Sequence, residues 1–344
     1  MPKPLKAADL NIVLPVLPID RTYDPVYAQA VEISPLIRRV LARNPNPFTF
    51  HGTGTYIVGR GQVAVIDPGP LLDEQVAALQ TALVGETITH ILLTHTHTDH
   101  SPAAAPLKAA TGAKTYGFGP HGVGKRSVGI AVEEGGDMDF APDVVLRDGA
   151  VIAGDGWTFD CVYTPGHTSN HVCFGLREER ALFSGDHVMG WSTTVIVPPD
   201  GDMAEYFASL RKLQTRDDSI FYPTHGAPIR APQAFLSALI EHRHAREQQL
   251  EVCLQHGITR VPEMVALFIL KLISACTRRL RCRCWRIYNT CWRAVVPAVM
   301  AQRWHRVITA VRNEAALMTS PKLHRQCFHP AHVHAVEPAW GVLQ

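Results

Sequence analysis

The feature that most constrains this chain is a group of histidines and an aspartate directly after an apolar run. Residues Thr94–His100 read Thr-His-Thr-His-Thr-Asp-His. Neutral imidazole is the commonest side-chain metal ligand, and a carboxylate can join it. Because residues two apart in an extended segment point the same way, His95 and His97 can hold one ion. Asp99 and His100 lie past the bend and can face a second ion. The segment therefore predicts a metal site at the end of a buried strand.

Three further residues of ligand type each follow a predicted strand farther along the chain. They are His167 in Thr-Pro-Gly-His-Thr, Asp186 in Phe-Ser-Gly-Asp-His and His225 in Pro-Thr-His-Gly. Loops at strand ends are where α/β proteins assemble their sites, and a glycine beside each ligand lets the backbone approach closely. Taken alone, each could be a polar residue in a turn. With the first segment they supply five histidines and two aspartates, enough for two ions.

The order and settings of these residues resemble the ligand set of the metallo-β-lactamase superfamily, from about Thr53 to Arg230. The resemblance implies an α/β fold, a four-layer αβ/βα sandwich with a binuclear, usually zinc, site at one edge. It implies a distribution of ligands: His95, His97 and His167 on the first ion, Asp99, His100 and His225 on the second, and Asp186 bridging them. Asp67 resembles an aspartate that supports the site loop in the superfamily; a simple turn aspartate is an equal alternative.

This ligand set implies a hydrolase that uses a metal-bound hydroxide, with two Zn²⁺ or other divalent ions as cofactors. Asp99 is the candidate catalytic residue, because its carboxylate can orient the nucleophile or take its proton. The expected substrate is a small-molecule thioester or another ester or amide. Since relatives of the same fold also cleave phosphodiesters, an endoribonuclease is one alternative. A non-catalytic, metal-stabilised nucleic-acid-binding protein is another.

Two segments resemble more narrowly the branch of the superfamily called β-lactamase-like protein 2. They are Gly52–Gly59 and the helical stretch His244–Gln249. Members of that branch carry a small winged-helix domain after the catalytic core, and Ile258–Ala266 resembles its start. We expect an N-terminal extension packing on the core at 1–48, the catalytic domain at 49–240, the start of the winged-helix-like domain at 241–266 and an aberrant tail at 267–344.

The tail differs in composition from the rest of the chain. Residues 267–344 hold twelve Lys and Arg against two acids, a charge of +10, whereas the remainder carries −8. An acidic core argues against tight non-specific nucleic-acid binding. The tail also contains five of the 8 Cys and four of the 6 Trp. It is either a basic nucleic-acid-binding segment or, as we prefer, the product of a frameshift near Leu267–Phe268 that disrupts the winged-helix domain.

A helix is predicted over Pro35–Ala42, because the preceding serine can cap it and proline suits its first position. The Gly-rich stretch 117–143 lacks periodicity and predicts a long loop. Its charged residues either meet an anionic substrate or are simply solvated; they include His121, Lys125 and Arg126.

The sequence has no apolar run of spanning length and no signal-peptide core, so we expect a cytoplasmic protein without a membrane partner.

Overall fold

The computed structural model describes residues 12–122 and 135–275. In this part of the chain, residues 14–244 form one compact unit, and the chain from Ala245 onward belongs to a second unit. The first unit contains two β-sheets packed face to face, with helices on their outer surfaces. Of the helices in the described ranges, none is both long and apolar enough to span a bilayer.

Seven strands form the first sheet, and they lie side by side in chain order. They are β1 (Ala30–Glu32), β2 (Ile37–Leu41), β3 (Gly54–Val58), β4 (Gln62–Ile66), β5 (Thr87–Leu92), β6 (Lys114–Gly117) and β7 (Val144–Val145). Pairing is antiparallel from β1 to β4 and parallel from β4 to β7. Because β4 and β5 run the same way, the loops that follow them start at one edge of the sheet. Asp67 lies in one of these loops and Thr94–His100 in the other.

Five strands form the second sheet, in the order β12-β11-β10-β9-β8. They are β8 (Val151–Gly154), β9 (Trp157–Tyr163), β10 (Val172–Leu176), β11 (Ala181–Gly185) and β12 (Ile220–Pro223). Strand β10 is antiparallel to both β9 and β11, and β12 is parallel to β11. Consequently β9, β11 and β12 all run in one direction. The loops after these three strands carry His167, Asp186 and His225, which therefore share an edge of the sheet.

Helices cover the outer face of each sheet and complete four layers. They are α1 (Asp73–Ala82), α2 (Ala104–Thr111), α3 (Met203–Gln214) and α4 (Pro232–Gln255), and α5 (Val261–Ala275) follows them. Aromatic side chains, including Phe159 and Phe183, fill the space between the sheets. Separate apolar clusters join the first sheet to α1 and α2, and the second sheet to α3 and α4. The predicted αβ/βα sandwich and the helical region after it are confirmed.

The predicted helix over Pro35–Ala42 is wrong, because this segment contains strand β2. Ser34 does bind the backbone, since its Oγ accepts a hydrogen bond from Ile37 N at 3.1 Å, but the chain then extends instead of coiling. Every residue of β2 is buried against neighbouring strands, and the β-branched Ile37 and Val40 suit that environment. Tertiary pairing with β1 and β3 outweighs a local helix-start signal.

Several sequence predictions fall partly outside the described residues. Positions 118–122 and 135–143 of the predicted loop are irregular, as expected, but 123–134, with Lys125 and Arg126, lie outside. Positions 276–344 lie outside as well, so the frameshift stays a prediction. The domain boundaries at 48, 240 and 266 also stay predictions, and so does the winged-helix character of the region that contains α5.

Candidate metal centre

The first group of candidate ligands consists of three buried histidines. His95 and His97 follow β5, and His167 follows β9. One ring nitrogen of each lies within 4.8 Å of those of the other two. The Nδ1 atom of His97 is 3.0 Å from His95 Nε2 and 3.2 Å from His167 Nε2. Three converging imidazoles form a donor set that proteins use to bind a divalent metal ion. We refer to these residues as the three-histidine cluster.

The second group combines two carboxylates with two imidazoles, all of them buried. It consists of Asp99, His100, Asp186 and His225, with one ligand atom of each within 4.8 Å of the others. Asp99 Oδ2 lies 3.1 Å from His225 Nε2 and 3.4 Å from His100 Nε2. We refer to these four residues as the carboxylate cluster. The structure thus brings together all seven residues that the sequence nominated.

Asp186 lies between the two clusters. Its Oδ2 atom is 3.4 Å from His225 Nε2 and 3.5 Å from His100 Nε2 in the carboxylate cluster. The same oxygen is 3.9 Å from His167 Nε2 in the three-histidine cluster. One carboxylate therefore faces both groups, as a residue that bridges two ions would have to do.

Unpaired buried atoms show that these side chains suit cations. Asp99 Oδ1, Asp186 Oδ1 and His100 Nε2 are buried and have no hydrogen-bond partner among the described residues. A buried polar atom without a partner costs about 1–3 kcal/mol, and more when the group is charged. A divalent ion at the carboxylate cluster would satisfy His100 Nε2 and Asp186 Oδ1, and imidazole and carboxylate are suitable donors. The residues present therefore fit two metal ions.

The charges of the carboxylate cluster strongly perturb its protonation. Burial opposes a charge on His225, but the carboxylates of Asp186 and Asp99 outweigh it and raise the pKa of His225 to about 10. Burial also opposes the charge on Asp99, yet His100 and His225 hold its pKa far below the usual range. In the three-histidine cluster, burial lowers the pKa of His95 well below its ordinary value. The ring of His95 is therefore held neutral with its lone pair available, whereas a metal ion at the carboxylate cluster would have to displace the proton of His225 and take its place beside the ionised carboxylates.

Contacts behind three of the ligands fix the direction of their rings. His167 Nδ1 donates to Val195 O at 2.7 Å, and His225 Nδ1 donates to Gly52 O at 3.0 Å. Carbonyl oxygen only accepts, so Nδ1 carries a proton in both rings and Nε2 is the nitrogen that faces the cluster. His100 Nδ1 lies 3.0 Å from Asp67 Oδ2 in the same manner. Such contacts orient ligands and raise their basicity.

Asp67 does more than form a turn. Its Oδ1 accepts a hydrogen bond from Thr94 N at 2.8 Å, and its Oδ2 accepts one from Thr94 Oγ1 at 2.7 Å. Thr224 Oγ1, next to His225, donates to the same Oδ2 at 3.0 Å. Together with its contact to His100, this buried carboxylate joins the loops that follow β5 and β12. Of the two interpretations that the sequence left open, the contacts favour support of the site loops.

Sequence reasoning missed the apolar residues that surround the ligands. A cavity of about 20 Å³ is lined by ligands and by Phe48, Met189 and Val195. None of these three follows a motif, so only the fold could place them there. His121 belongs to neither metal cluster; its Nδ1 lies 3.2 Å from Thr96 Oγ1. It therefore contacts the ligand loop from outside.

Comparison with known proteins agrees with this geometry. Residues 49–225 match the family model of the metallo-beta-lactamase superfamily. The chain belongs to this superfamily. A metallo-beta-lactamase family protein of known structure from Thermus thermophilus has the same fold, with a TM-score of 0.53 and 21% identity. That match covers 64% of this chain and 84% of the other.

Two curated relatives carry more specific names. The atrochrysone carboxyl ACP thioesterase of Aspergillus fumigatus is 35% identical over 65% of this chain and 66% of its own length. The beta-lactamase-like protein 2 homolog of Caenorhabditis elegans is 34% identical over 64% of this chain and 71% of its own length. The matches thus span about two thirds of these relatives. Membership of the superfamily identifies the chain as a hydrolase.

Proposed function

We propose that this superfamily member is a binuclear, zinc-dependent hydrolase of thioesters or related esters and amides. The observation that carries the proposal is the position of Asp186, whose Oδ2 lies within 3.4–3.9 Å of ligand nitrogens in both clusters. Two ligand sets that share a carboxylate favour a pair of ions close to each other. The thioesterase name of one relative supports the choice of substrate class.

The seven side chains divide between the two ions as follows. His95, His97 and His167 would hold one ion, Asp99, His100 and His225 would hold the other, and Asp186 would contact both. Three imidazoles are a common donor set for zinc, which favours zinc at the first position. When bound, the two cations acidify water and polarise the carbonyl oxygen of the substrate.

Asp99 is suited to move the proton of the attacking water. Its Oδ2 atom faces His225 and His100, while its Oδ1 atom is buried without a hydrogen-bond partner among the described residues. We assign proton acceptance to Oδ1. In thioester hydrolysis, water adds to the carbonyl carbon, the carbon–sulfur bond breaks and the proton passes to sulfur. The products are a carboxylic acid and a thiol.

The lining of the cavity favours an acyl substrate over a phosphodiester. Phe48, Met189 and Val195 offer apolar surface beside the ligands, and the described lining contains no lysine or arginine. The cavity itself has room for about one water molecule, so an acyl group would lie against these apolar side chains at its mouth, where they suit such a group. A phosphodiester carries a negative charge, which proteins usually bind with arginine or lysine. An endoribonuclease is therefore the less favoured alternative.

The test begins with the metal content of the purified full chain, measured before and after dialysis against a chelator. The protein is then assayed on short acyl thioesters, a β-lactam and a single-stranded RNA. We expect thioester hydrolysis that chelator removes and Zn²⁺ restores. Turnover of RNA but not of thioesters would replace the proposal with the nuclease alternative. Metal binding without turnover of any of these substrates would contradict the proposed activity.

A further inference from the structure

The loop that carries His225 is attached to the first sheet at several points, although it follows β12 of the second sheet. Tyr56 Oη donates to Pro223 O at 2.7 Å, and Gly54 N donates to Thr224 O at 2.8 Å. On the far side of the ligand, an arginine of β2 donates to Gly226 O at 2.9 Å. The carbonyl groups on both sides of His225 are thus held by strands β2 and β3.

The arginine in question is Arg39, whose side chain is almost fully enclosed. The residue is 4% exposed, and its Nη1 atom is the donor to Gly226 O. Its guanidinium lies over the ring of Tyr23, with Cζ 4.4 Å from the ring centroid. A planar guanidinium can stack on an aromatic face and donate a directed hydrogen bond at the same time, which an ammonium group cannot do.

The absence of a side chain at Gly54 makes this arrangement possible. A Cβ atom at that position would lie 2.9 Å from Arg39 Cδ and 3.0 Å from Thr224 O. These separations are too short for a carbon atom, so any larger residue would displace either the arginine or the ligand loop. The local sequence of β3 therefore accommodates Arg39 and the loop side by side.

We propose that Arg39 is a positioning residue for metal binding at the carboxylate cluster. By fixing Gly226 O, it holds His225 where Nε2 lies 3.1 Å from Asp99 Oδ2 and 3.4 Å from Asp186 Oδ2. This inference rests on the proposed role of His225 as a metal ligand. Arg39 also lies outside the segment that matches the superfamily model, residues 49–225. Strand β2 thus contributes to a site whose ligands all belong to the matched segment.

Arg38 provides a matched control on the same strand. It is also buried, at 8% exposure, but its Nη2 atom contacts Glu86 Oε2 at 2.6 Å and Gly59 O at 3.3 Å. Neighbouring residues of a strand point to opposite faces. Replacing Arg38 therefore removes a buried arginine from β2 without touching the loop of His225.

The experiment measures metal binding by the full-length protein without any substrate. Metal-free wild type, Arg39→Met, Arg39→Lys and Arg38→Met are titrated with Zn²⁺ against a competing chelator, and with Co²⁺ by absorption spectroscopy. We expect Arg39→Met to bind one equivalent normally and the second about 10–100-fold more weakly, the usual effect of losing a contact behind a ligand. Arg39→Lys should fall between wild type and Arg39→Met. Arg38→Met should bind both equivalents as wild type does, even if its unfolding midpoint falls.

Three results would overturn the assignment of Arg39: unchanged binding of both equivalents by Arg39→Met, equal weakening in Arg38→Met, or a wild type that takes up fewer than two equivalents. Thermal unfolding of the metal-free proteins accompanies the titration, and Arg39→Lys supplies the comparison if Arg39→Met does not fold. Failure of the wild type to hydrolyse thioesters would instead remove the proposed activity. It would leave the binding result for Arg39 intact.

Discussion

The Oδ2 atom of Asp186 lies 3.9 Å from the Nε2 atom of His167 and thereby links the two clusters of candidate ligands. In the other direction the same oxygen is 3.4 Å from His225 Nε2. Every other candidate ligand belongs to a single cluster. Loss of Asp186 should therefore affect both metal positions, whereas loss of any of the other six residues should affect one position.

Replacing Asp186 with Ala should disturb both ions. We expect both equivalents of metal to be lost or to bind with greatly reduced affinity. Thioester hydrolysis should fall by more than about 100-fold, because losing a ligand should cost at least as much as losing a contact behind one. Metal analysis and kcat/KM for one thioester measure these effects. Asp217→Ala is a suitable control, because that side chain is 88% exposed and pairs with Arg180 at the surface. Unchanged metal content in Asp186→Ala would refute the bridging position.

Replacing Asp67 with Asn should weaken metal binding although Asp67 is not a candidate ligand. The amide oxygen can still accept from Thr94 N, but its NH₂ group would face His100 Nδ1–H, a donor facing a donor. We expect metal affinity about 10–100-fold lower and a free energy of unfolding lower by about 1–3 kcal/mol. Chelator competition and urea unfolding give the two values.

The control for Asp67→Asn is Asp218→Asn. Asp218 is also buried, and its two carboxylate oxygens lie 2.7 and 2.9 Å from nitrogens of Arg216, away from the candidate ligands. Its replacement should lower the stability and leave the metal affinity unchanged. Equal metal affinity in Asp67→Asn and wild type would show that Asp67 only stabilises the fold.

The candidate ligands could be predicted because the sequence patterns that mark them are local. Each follows a short apolar strand, and strands of common direction bring their ends to one edge. His95 and His97 needed only their spacing, whereas His167, Asp186 and His225 gained weight from their order and number. The family resemblance then supplied the sandwich and the pairing of ligands, which spacing alone does not determine.

The contacts of the supporting residues could not be predicted from local patterns, because they join distant parts of the chain, and only the family resemblance suggested a supporting role for Asp67. Asp67 meets Thr224 across 157 residues, and Arg39 meets Gly226 across 187. Nothing in the sequence near Arg39 marks such a contact. On the contrary, the serine and proline that precede β2 favoured a helix. The long-range pairing of β2 with β3 decided the conformation, and with it the direction of the arginine.

Replacing Phe48 with Ala should alter the preference for the acyl group more than the chemical step. Phe48 lines the cavity beside His225 and Asp99, where it offers apolar surface to the substrate. Loss of that surface should cost an apolar acyl group about 1–3 kcal/mol of binding, or about 10–200-fold in kcat/KM. An acetyl thioester, too short to use the surface, should change little. A series of straight-chain acyl thioesters measures the effect, and an equal loss for every chain length would contradict the placement of the acyl group.

Asp143 should make the stability of the fold depend on pH in acid. Its contact with Lys108 and its hydrogen bonds from Thr115 lower its pKa from 3.8 to about 2. Because the folded state stabilises the ionised carboxylate more than the unfolded chain does, Asp143 contributes fully to the free energy of unfolding above pH 3.8. This contribution diminishes as the pH falls from 3.8 toward 2 and is lost below that range.

The test compares the urea midpoints of wild type and Asp143→Asn with chelator present. The difference between the two midpoints should be constant near pH 6 and should become smaller as the pH falls to about 3. Lys108→Met should reduce the same pH dependence, since it removes the largest cause of the shift. Asp217→Asn, at an exposed position, should follow the wild-type curve. A difference between wild type and Asp143→Asn that stays the same from pH 6 to pH 3 would show that the carboxylate of Asp143 contributes nothing to the fold through its charge.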